Sequence, residues 1–85
     1  MYNMDAIANL FFEQLWVVYI IYSLLTDKIY IGHTQDMKKR WTLHEHCTNN
    51  CTSAILMAFP DADYRIVTSG LESKLDAKIE EQRLL

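Results

Sequence analysis

The spacing of hydrophobic and polar positions changes several times along this chain of 85 residues. Residues 4–14 place apolar side chains at helical spacing, which predicts a short helix. Residues 16–22 are a nearly continuous run of β-branched and aromatic side chains, which predicts a central strand buried on both faces. Residues 29–34 resume the strand pattern after a tight turn at residues 25–28, so we expect an antiparallel hairpin.

The pattern then alternates between helix and strand. Residues 36–47 hold good helix formers after polar side chains that can cap a helix. Residues 54–59 predict a brief helix, capped by the serine before it and stopped by Pro60. Residues 64–68 alternate polar and apolar side chains and predict a third strand, which Ser69 and the glycine after it would end.

The last segment, residues 72–85, reads as an amphipathic helix whose apolar stripe consists of Leu75, Ile79 and Leu84. The predicted order is therefore α-β-β-α-α-β-α. We expect an α+β fold, a small three-stranded antiparallel sheet flanked by helices, without internal repeats. Residues 1–15 would form a helical extension, and residues 16–85 would form the single domain.

Composition sharpens this expectation in two ways. Half of the residues are apolar and the chain contains only two glycines and one proline, so a folded core is expected over most of its length. The net charge of −3 argues against tight non-specific binding of nucleic acid. However, residues 28–45 contain four basic and two acidic side chains, so a locally basic surface is compatible with the acidic total.

The N-terminal residues lack the basic start and small-residue cleavage site of a signal peptide, and the longest apolar run is far shorter than a bilayer requires. Two cysteines are too few for a disulfide-stabilised secreted domain. We therefore expect a soluble, cytoplasmic protein that does not bind membranes. Four potential zinc ligands lie close together in the sequence, namely His44, His46, Cys47 and Cys51. Their spacing matches no standard zinc finger, so we do not expect a zinc site.

The hairpin and the helix after it contain the most informative spacing. Ten residues separate residues 17–19, Val-Val-Tyr, from residues 30–32, Tyr-Ile-Gly. Arg40 follows eight residues after that glycine, and His44 lies one helical turn further on. This combination resembles the GIY-YIG nucleases, with valine in place of the first glycine and of the first isoleucine.

A second block of the resemblance lies in the last helix. Residues 76–81, Asp-Ala-Lys-Ile-Glu-Glu, are similar to the helix that supplies the metal-binding glutamate of that family. Alignment on the alanine favours Glu81, and Glu80 is the neighbour that could be confused with it. The resemblance covers roughly residues 16 to 85. It implies an enzyme that hydrolyses phosphodiester bonds of DNA with Mg²⁺ or Mn²⁺.

The resemblance also implies a role for each matching residue. Glu81 would hold the metal ion, because Mg²⁺ prefers oxygen ligands and keeps much of its water. Tyr19 would be the general base, with Tyr30 in the hydrogen-bonded network, and the two tyrosines can exchange these roles. Arg40 would hold the phosphate, and His44 would relay a proton or orient Tyr19. The residues expected to bind nucleic acid are Gly32, His33, Lys38, Lys39 and Arg40.

The sequence pattern is compatible with several functions. The leading hypothesis is a DNA endonuclease of low sequence selectivity, of a repair type or a homing or phage type, acting on duplex or branched DNA. A targeting partner or a homodimer formed through Phe11 and Phe12 would fit the absence of a specificity domain. One alternative is a non-catalytic module that binds nucleic acid or protein. The acidic net charge, the altered first motif and the short segment of four residues after Glu81 would fit such a module. The other alternative is an RNA-cleaving nuclease.

Overall fold

The computed structural model describes residues 15–46 and 53–85. Within them, the chain forms three strands, β1 (Trp16–Tyr22), β2 (Ile29–Thr34) and β3 (Asp63–Leu71). It also forms three helices, α1 (Met37–His46), α2 (Ala54–Met57) and α3 (Lys74–Leu84). The strands make one antiparallel sheet in the order β2-β1-β3. The predicted α+β fold is confirmed, and the predicted N-terminal helix lies outside the described residues.

β1 is the central strand, as its continuous apolar pattern predicts. Its neighbouring residues Val18 and Tyr19 are both completely buried, and successive side chains of a strand point to opposite faces. Both faces of the sheet must therefore be covered. β1 pairs with β2 so that Tyr19 lies opposite Gly32 and Ile21 lies opposite Tyr30.

One face of the sheet, which we call the tyrosine face, carries Tyr19 and Tyr30. Helices α1 and α2 cover it, and the buried cluster there consists of Tyr19, Ile21, Met37 and Leu56. The opposite face, which we call the glutamate face, carries His33 and Thr68, which contact Glu81 and Glu80 of α3. The functional side chains are thus divided between two faces of one thin sheet.

Helix α3 differs from the prediction in its orientation. The predicted apolar stripe does not face the sheet, because Leu75 and Ile79 are 66% and 58% exposed. The sheet side of α3 instead presents the buried Ala77 together with the half-buried glutamates. A small side chain at Ala77 lets the helix approach the sheet closely enough for carboxylates to reach His33 and Thr68. Polar contacts, rather than the strongest apolar side chains, set the rotation of this helix.

Strand β3 is longer than predicted and does not end at Ser69. It continues through Gly70 to Leu71, which pairs with Trp16 of β1. Gly70 has a φ of +73° next to a register shift between Trp16 and Val18. A glycine with positive φ accommodates such an irregularity without the penalty that a Cβ would impose. Helix α2 is shorter than predicted, ending at Met57.

The two longer helices begin at capping side chains. Asp36 Oδ1 accepts a hydrogen bond from the Lys39 backbone N–H (3.1 Å), and Ser73 Oγ accepts one from the Asp76 N–H (3.0 Å). Each cap satisfies a backbone donor that the first helical turn leaves unpaired. In the part of the chain that the structure describes, no helix is both long and apolar enough to cross a membrane.

Candidate active site

The antiparallel register brings two tyrosines and a histidine into one cluster on the tyrosine face. The ring centroids of Tyr19 and Tyr30 lie 6.3 Å apart, and the His44 ring lies 5.8 and 5.4 Å from them. His44 points inward from α1, and its Nε2 lies 2.7 Å from the Tyr19 hydroxyl. Its Nδ1 lies 2.7 Å from Ser53 Oγ, so both ring nitrogens have a partner.

Ser53 therefore has a different role from the predicted one. Its side chain makes no capping hydrogen bond to α2. It is buried and serves as the partner that fixes the ring orientation of His44. A serine nine residues after a histidine gives no recognisable signal, so the sequence alone could not reveal this contact.

Gly32 permits this cluster to form. A Cβ built on Gly32 would lie 2.6 Å from the Tyr19 hydroxyl, 2.7 Å from its Cζ and 2.9 Å from Cε1 of Tyr30. Any side chain at this position would force the two rings away. The group that approaches the backbone of Gly32 most closely is therefore the Tyr19 side chain.

Burial and the neighbouring charge shift the proton affinities in this cluster. Burial raises the pKa of Tyr19 to about 12, against the lowering effect of a hydrogen bond from Arg40. The same hydrogen bond raises the pKa of Arg40, so its guanidinium stays charged. Burial, with a smaller contribution from the Arg40 charge, lowers the pKa of His44. At neutral pH the cluster therefore contains a neutral phenol, a neutral imidazole and one cation.

The glutamate face presents a second set of contacts. His33 Nδ1 lies 2.6 Å from Oε2 of Glu81, and the His33 ring lies 5.5 Å from the ring of Trp16. Glu80 is engaged elsewhere, since its Oε1 accepts hydrogen bonds from Thr68 Oγ1 at 3.3 Å and from Arg83 at 3.0 Å. The two neighbouring glutamates of α3 therefore have different partners.

An open cleft of about 390 Å³ joins the two faces at the end of β2. It is lined by Trp16, Tyr30, Gly32, His33, Thr34, Gln35, Asp36, Arg40, Lys74 and Glu81. Five of the predicted site residues are among these, namely Tyr30, Gly32, His33, Arg40 and Glu81.

Other predicted site residues lie outside the cleft. Tyr19 and His44 are buried behind its wall, next to Gly32 and Tyr30. Lys38 and Lys39 are exposed on α1 and do not line the cleft. The cleft instead contains Lys74, the first residue of α3. An isolated lysine at the start of a helix resembles any surface residue, so the sequence pattern does not predict this position.

The cleft fits a hydrated Mg²⁺ ion better than a metal held by many protein ligands. Among residues 15–46 and 53–85, no group of three or more His, Cys, Asp or Glu side chains could hold a metal ion. Glu81 alone offers a half-buried carboxylate beside open, polar space. One carboxylate suffices for Mg²⁺, which keeps several waters. Zinc at His44 is disfavoured because both of its ring nitrogens are engaged. The other candidate ligands Cys47 and Cys51 lie outside the described residues.

Comparison with known protein families gives the same assignment as the spacing of the motifs. The family model of the GIY-YIG catalytic domain matches residues 15–84. This chain belongs to the GIY-YIG family. The match covers both tyrosines, the arginine of α1 and the glutamates of α3, so this GIY-YIG domain is a member of a nuclease superfamily. Comparisons with curated proteins and with solved structures gave no match.

Proposed function

We propose that this GIY-YIG domain is a metal-dependent endonuclease that hydrolyses phosphodiester bonds of DNA. One observation supports this function most strongly. Tyr30 of β2, Arg40 of α1 and Glu81 of α3 line a single open cleft, although three different elements supply them. A phosphate-binding cation, an ionisable hydroxyl and a metal-binding carboxylate are the groups that phosphodiester hydrolysis requires.

Arg40 is proposed to hold the phosphate. Arg40 lines the cleft, and Tyr19 and Tyr30 lie close enough to its guanidinium to raise its pKa. The planar fork of an arginine can donate two parallel hydrogen bonds to phosphate oxygens, which a lysine cannot. Like any arginine, Arg40 keeps its positive charge throughout the physiological pH range.

The two tyrosines and His44 are proposed to remove a proton from the attacking water. Tyr30 borders the cleft, and its ring centroid lies 6.3 Å from that of Tyr19, whose hydroxyl lies 2.7 Å from His44 Nε2. As Tyr30 accepts the proton of the water, its own proton passes to Tyr19, and the Tyr19 proton passes to Nε2. His44 can accept it because its lowered pKa keeps the ring neutral. This route avoids a free phenolate at Tyr19, whose pKa is about 12.

Glu81 is proposed to hold Mg²⁺ or Mn²⁺ on the opposite side of the cleft. Such an ion would supply positive charge at the phosphate and would lower the pKa of a bound water. His33 donates to Glu81 Oε2 and so orients the carboxylate. Second-layer contacts of this kind commonly fix the geometry of a metal ligand.

DNA outside the cleft is proposed to contact Lys38 and Lys39, which are exposed on the same helix as Arg40. Lysines in such positions neutralise backbone phosphates and carry no sequence information. We therefore expect low intrinsic sequence selectivity. A partner protein or a second copy of the chain would supply targeting.

Cleavage of supercoiled plasmid in Mg²⁺ tests the proposal. We expect nicking that EDTA abolishes and that Arg40→Ala reduces by roughly 10²–10³-fold. Lys39→Ala, which removes one proposed phosphate contact outside the cleft, should reduce nicking far less. The two substitutions each remove one positive charge from α1, but Lys39 does not line the cleft. Equal losses in both variants would mean that charge alone, rather than this site, determines the activity.

A non-catalytic binding module is the second candidate, and the contact at Glu81 favours it. His33 occupies Oε2 of this carboxylate at 2.6 Å, which leaves less of the carboxylate for a metal. Binding of DNA without cleavage in Mg²⁺ or Mn²⁺ would support this candidate. Cleavage of RNA but not of DNA would assign the same cleft to an RNA nuclease.

A further inference from the structure

Trp16 is an aromatic side chain in an otherwise polar cleft, and the proposed hydrolysis does not use it. It is the first residue of β1, pairs with Leu71 across the sheet and remains half-buried. Its indole lines the cleft next to His33, and the planes of the two rings are tilted by 46°.

The neighbours of Trp16 point to a ligand with both negative charge and an aromatic plane. Arg40 and Lys74 place two cations on the wall of the same cleft, which also contains the carboxylates of Asp36 and Glu81. A nucleotide combines a phosphate, which the cations attract, with a base, whose flat face can stack on an indole. Stacking on an aromatic side chain tolerates any base, which agrees with the low sequence selectivity expected here.

We propose that Trp16 stacks on the base of a nucleotide adjacent to the phosphate held by Arg40, so that the preferred substrate is DNA with an unpaired base at the cleavage site. This inference rests on the proposed function, because it assumes that the cleft holds a phosphodiester. In an intact duplex both faces of each base are covered by neighbouring base pairs. A base can reach Trp16 only where it has left the stack, as in single-stranded, branched or distorted DNA.

Fluorescence offers a direct test because the chain contains two tryptophans. Trp41 packs against Tyr64 on the tyrosine face at a centroid distance of 5.0 Å and does not line the cleft. Trp41→Phe therefore leaves Trp16 as the sole reporter. The variant would be titrated in EDTA with a short thymidine oligonucleotide, with the same oligonucleotide carrying abasic sites, and with the matching duplex.

We expect saturable quenching by the single strand, and roughly 10-fold weaker binding with little quenching for the abasic strand and the duplex. Trp16→Leu in the natural background should lose that same factor for the single strand only, whereas Trp16→Phe should retain most of the affinity. Equal binding of the abasic strand and the single strand, or no binding of either, would overturn the proposal. If Trp16→Leu fails to fold, as judged by its thermal unfolding, the titration of Trp41→Phe still decides.

The outcomes also separate this inference from the proposed function. Quenching by the single strand without cleavage of any DNA would leave the stacking site intact and refute the nuclease. Cleavage of plasmid with no preference for the single strand would retain the nuclease and refute the stacking.

Discussion

The two faces of the sheet contain two halves of the site that differ mainly in their contact with water. On the tyrosine face, Tyr19 and His44 are buried between the sheet and α1, and their polar atoms bond to each other and to Ser53. On the glutamate face, His33 and Glu81 are each about a fifth exposed and border the open cleft. The sealed half can fix geometry and proton affinity, whereas the open half can exchange water, a metal ion and substrate.

Strand β2 of the sheet connects the two halves of the site. Successive residues of β2 point to opposite faces, so Gly32 lies under the Tyr19 ring while His33 reaches Glu81. The cleft forms where this edge strand ends and α1 begins. Changes in the sealed half should therefore alter stability and rate together, and changes in the open half should alter mainly metal and substrate binding.

The largest effect on the cleavage rate is expected for Tyr19 and Tyr30, which we propose to form one path for the proton. Tyr30→Phe and Tyr19→Phe should each slow plasmid cleavage by about 10²-fold or more. The double variant should be no slower than either one, because groups that act as a unit are not additive. Single-turnover rates measure this, with Tyr64→Phe as the control, since Tyr64 packs against Trp41 and does not line the cleft. Additive losses would show that the tyrosines act separately. A loss confined to Tyr19→Phe would make Tyr19 the direct base.

The open half is tested by the contact between His33 and Glu81. His33→Ala should weaken metal binding about 10–100-fold, the usual cost of losing such a supporting contact. His33→Asn should restore part of it, because its amide nitrogen can replace the Nδ1 donor. Binding of Mn²⁺ followed by electron paramagnetic resonance measures this without relying on activity. Thr68→Val, which removes the corresponding contact to Glu80, is the control and should bind Mn²⁺ like the natural protein.

The junction between the halves is tested by Gly32→Ala. The added methyl would lie 2.6 Å from the Tyr19 hydroxyl, so the rings must move at a cost of about 1–3 kcal/mol of unfolding free energy. Gly70→Ala meets no atom within 4 Å and should lose only about 1–2 kcal/mol from its positive φ, without an effect on cleavage. Urea unfolding of both variants, alongside cleavage rates, checks the difference. An active Gly32→Ala variant of natural stability would contradict the close contact.

The smallest expected effect is a pH dependence of the protein's stability, which arises from His44 in the sealed half. The folded protein lowers the pKa of His44 below its ordinary value of 6.5, so protons bind more readily to the unfolded chain. The neutral ring therefore contributes stability in full above pH 6.5, and this contribution is lost as pH falls towards the folded pKa. The charged and titratable groups around the ring are Tyr19, Tyr30 and Arg40.

Urea unfolding between pH 7.5 and pH 5 should show this loss, with a slope of at most about 1.4 kcal/mol per pH unit for one proton. His44→Gln should show a flatter profile over the same range, although it will be less stable at neutral pH. An unchanged slope in this variant would assign the pH dependence to another group.

The sequence predicted the fold and the tyrosine face well, because both rest on local periodicity. The strand patterns identified the central strand, and the helical spacing of Arg40 and His44 follows from one turn of α1. The glutamate face was predicted less well. The rotation of α3 depends on contacts of Glu81 and Glu80 with β2 and β3, which no local sequence pattern encodes. The predicted apolar stripe was therefore wrong, because Leu75 and Ile79 are exposed. Lys74 and Trp16 became visible as cleft residues only once the sheet and the helix were assembled.

The two glutamates of α3 provide the most direct test of the central claim, which is that the open half of the site binds the metal ion of a nuclease. Glu81→Gln and Glu80→Gln are matched substitutions at adjacent positions, but only Glu81 lines the cleft. In plasmid cleavage with Mg²⁺, we predict a loss of about 10²-fold or more for Glu81→Gln and a rate close to that of the natural protein for Glu80→Gln. Cleavage that survives Glu81→Gln, or that is lost equally in both variants, would contradict the account.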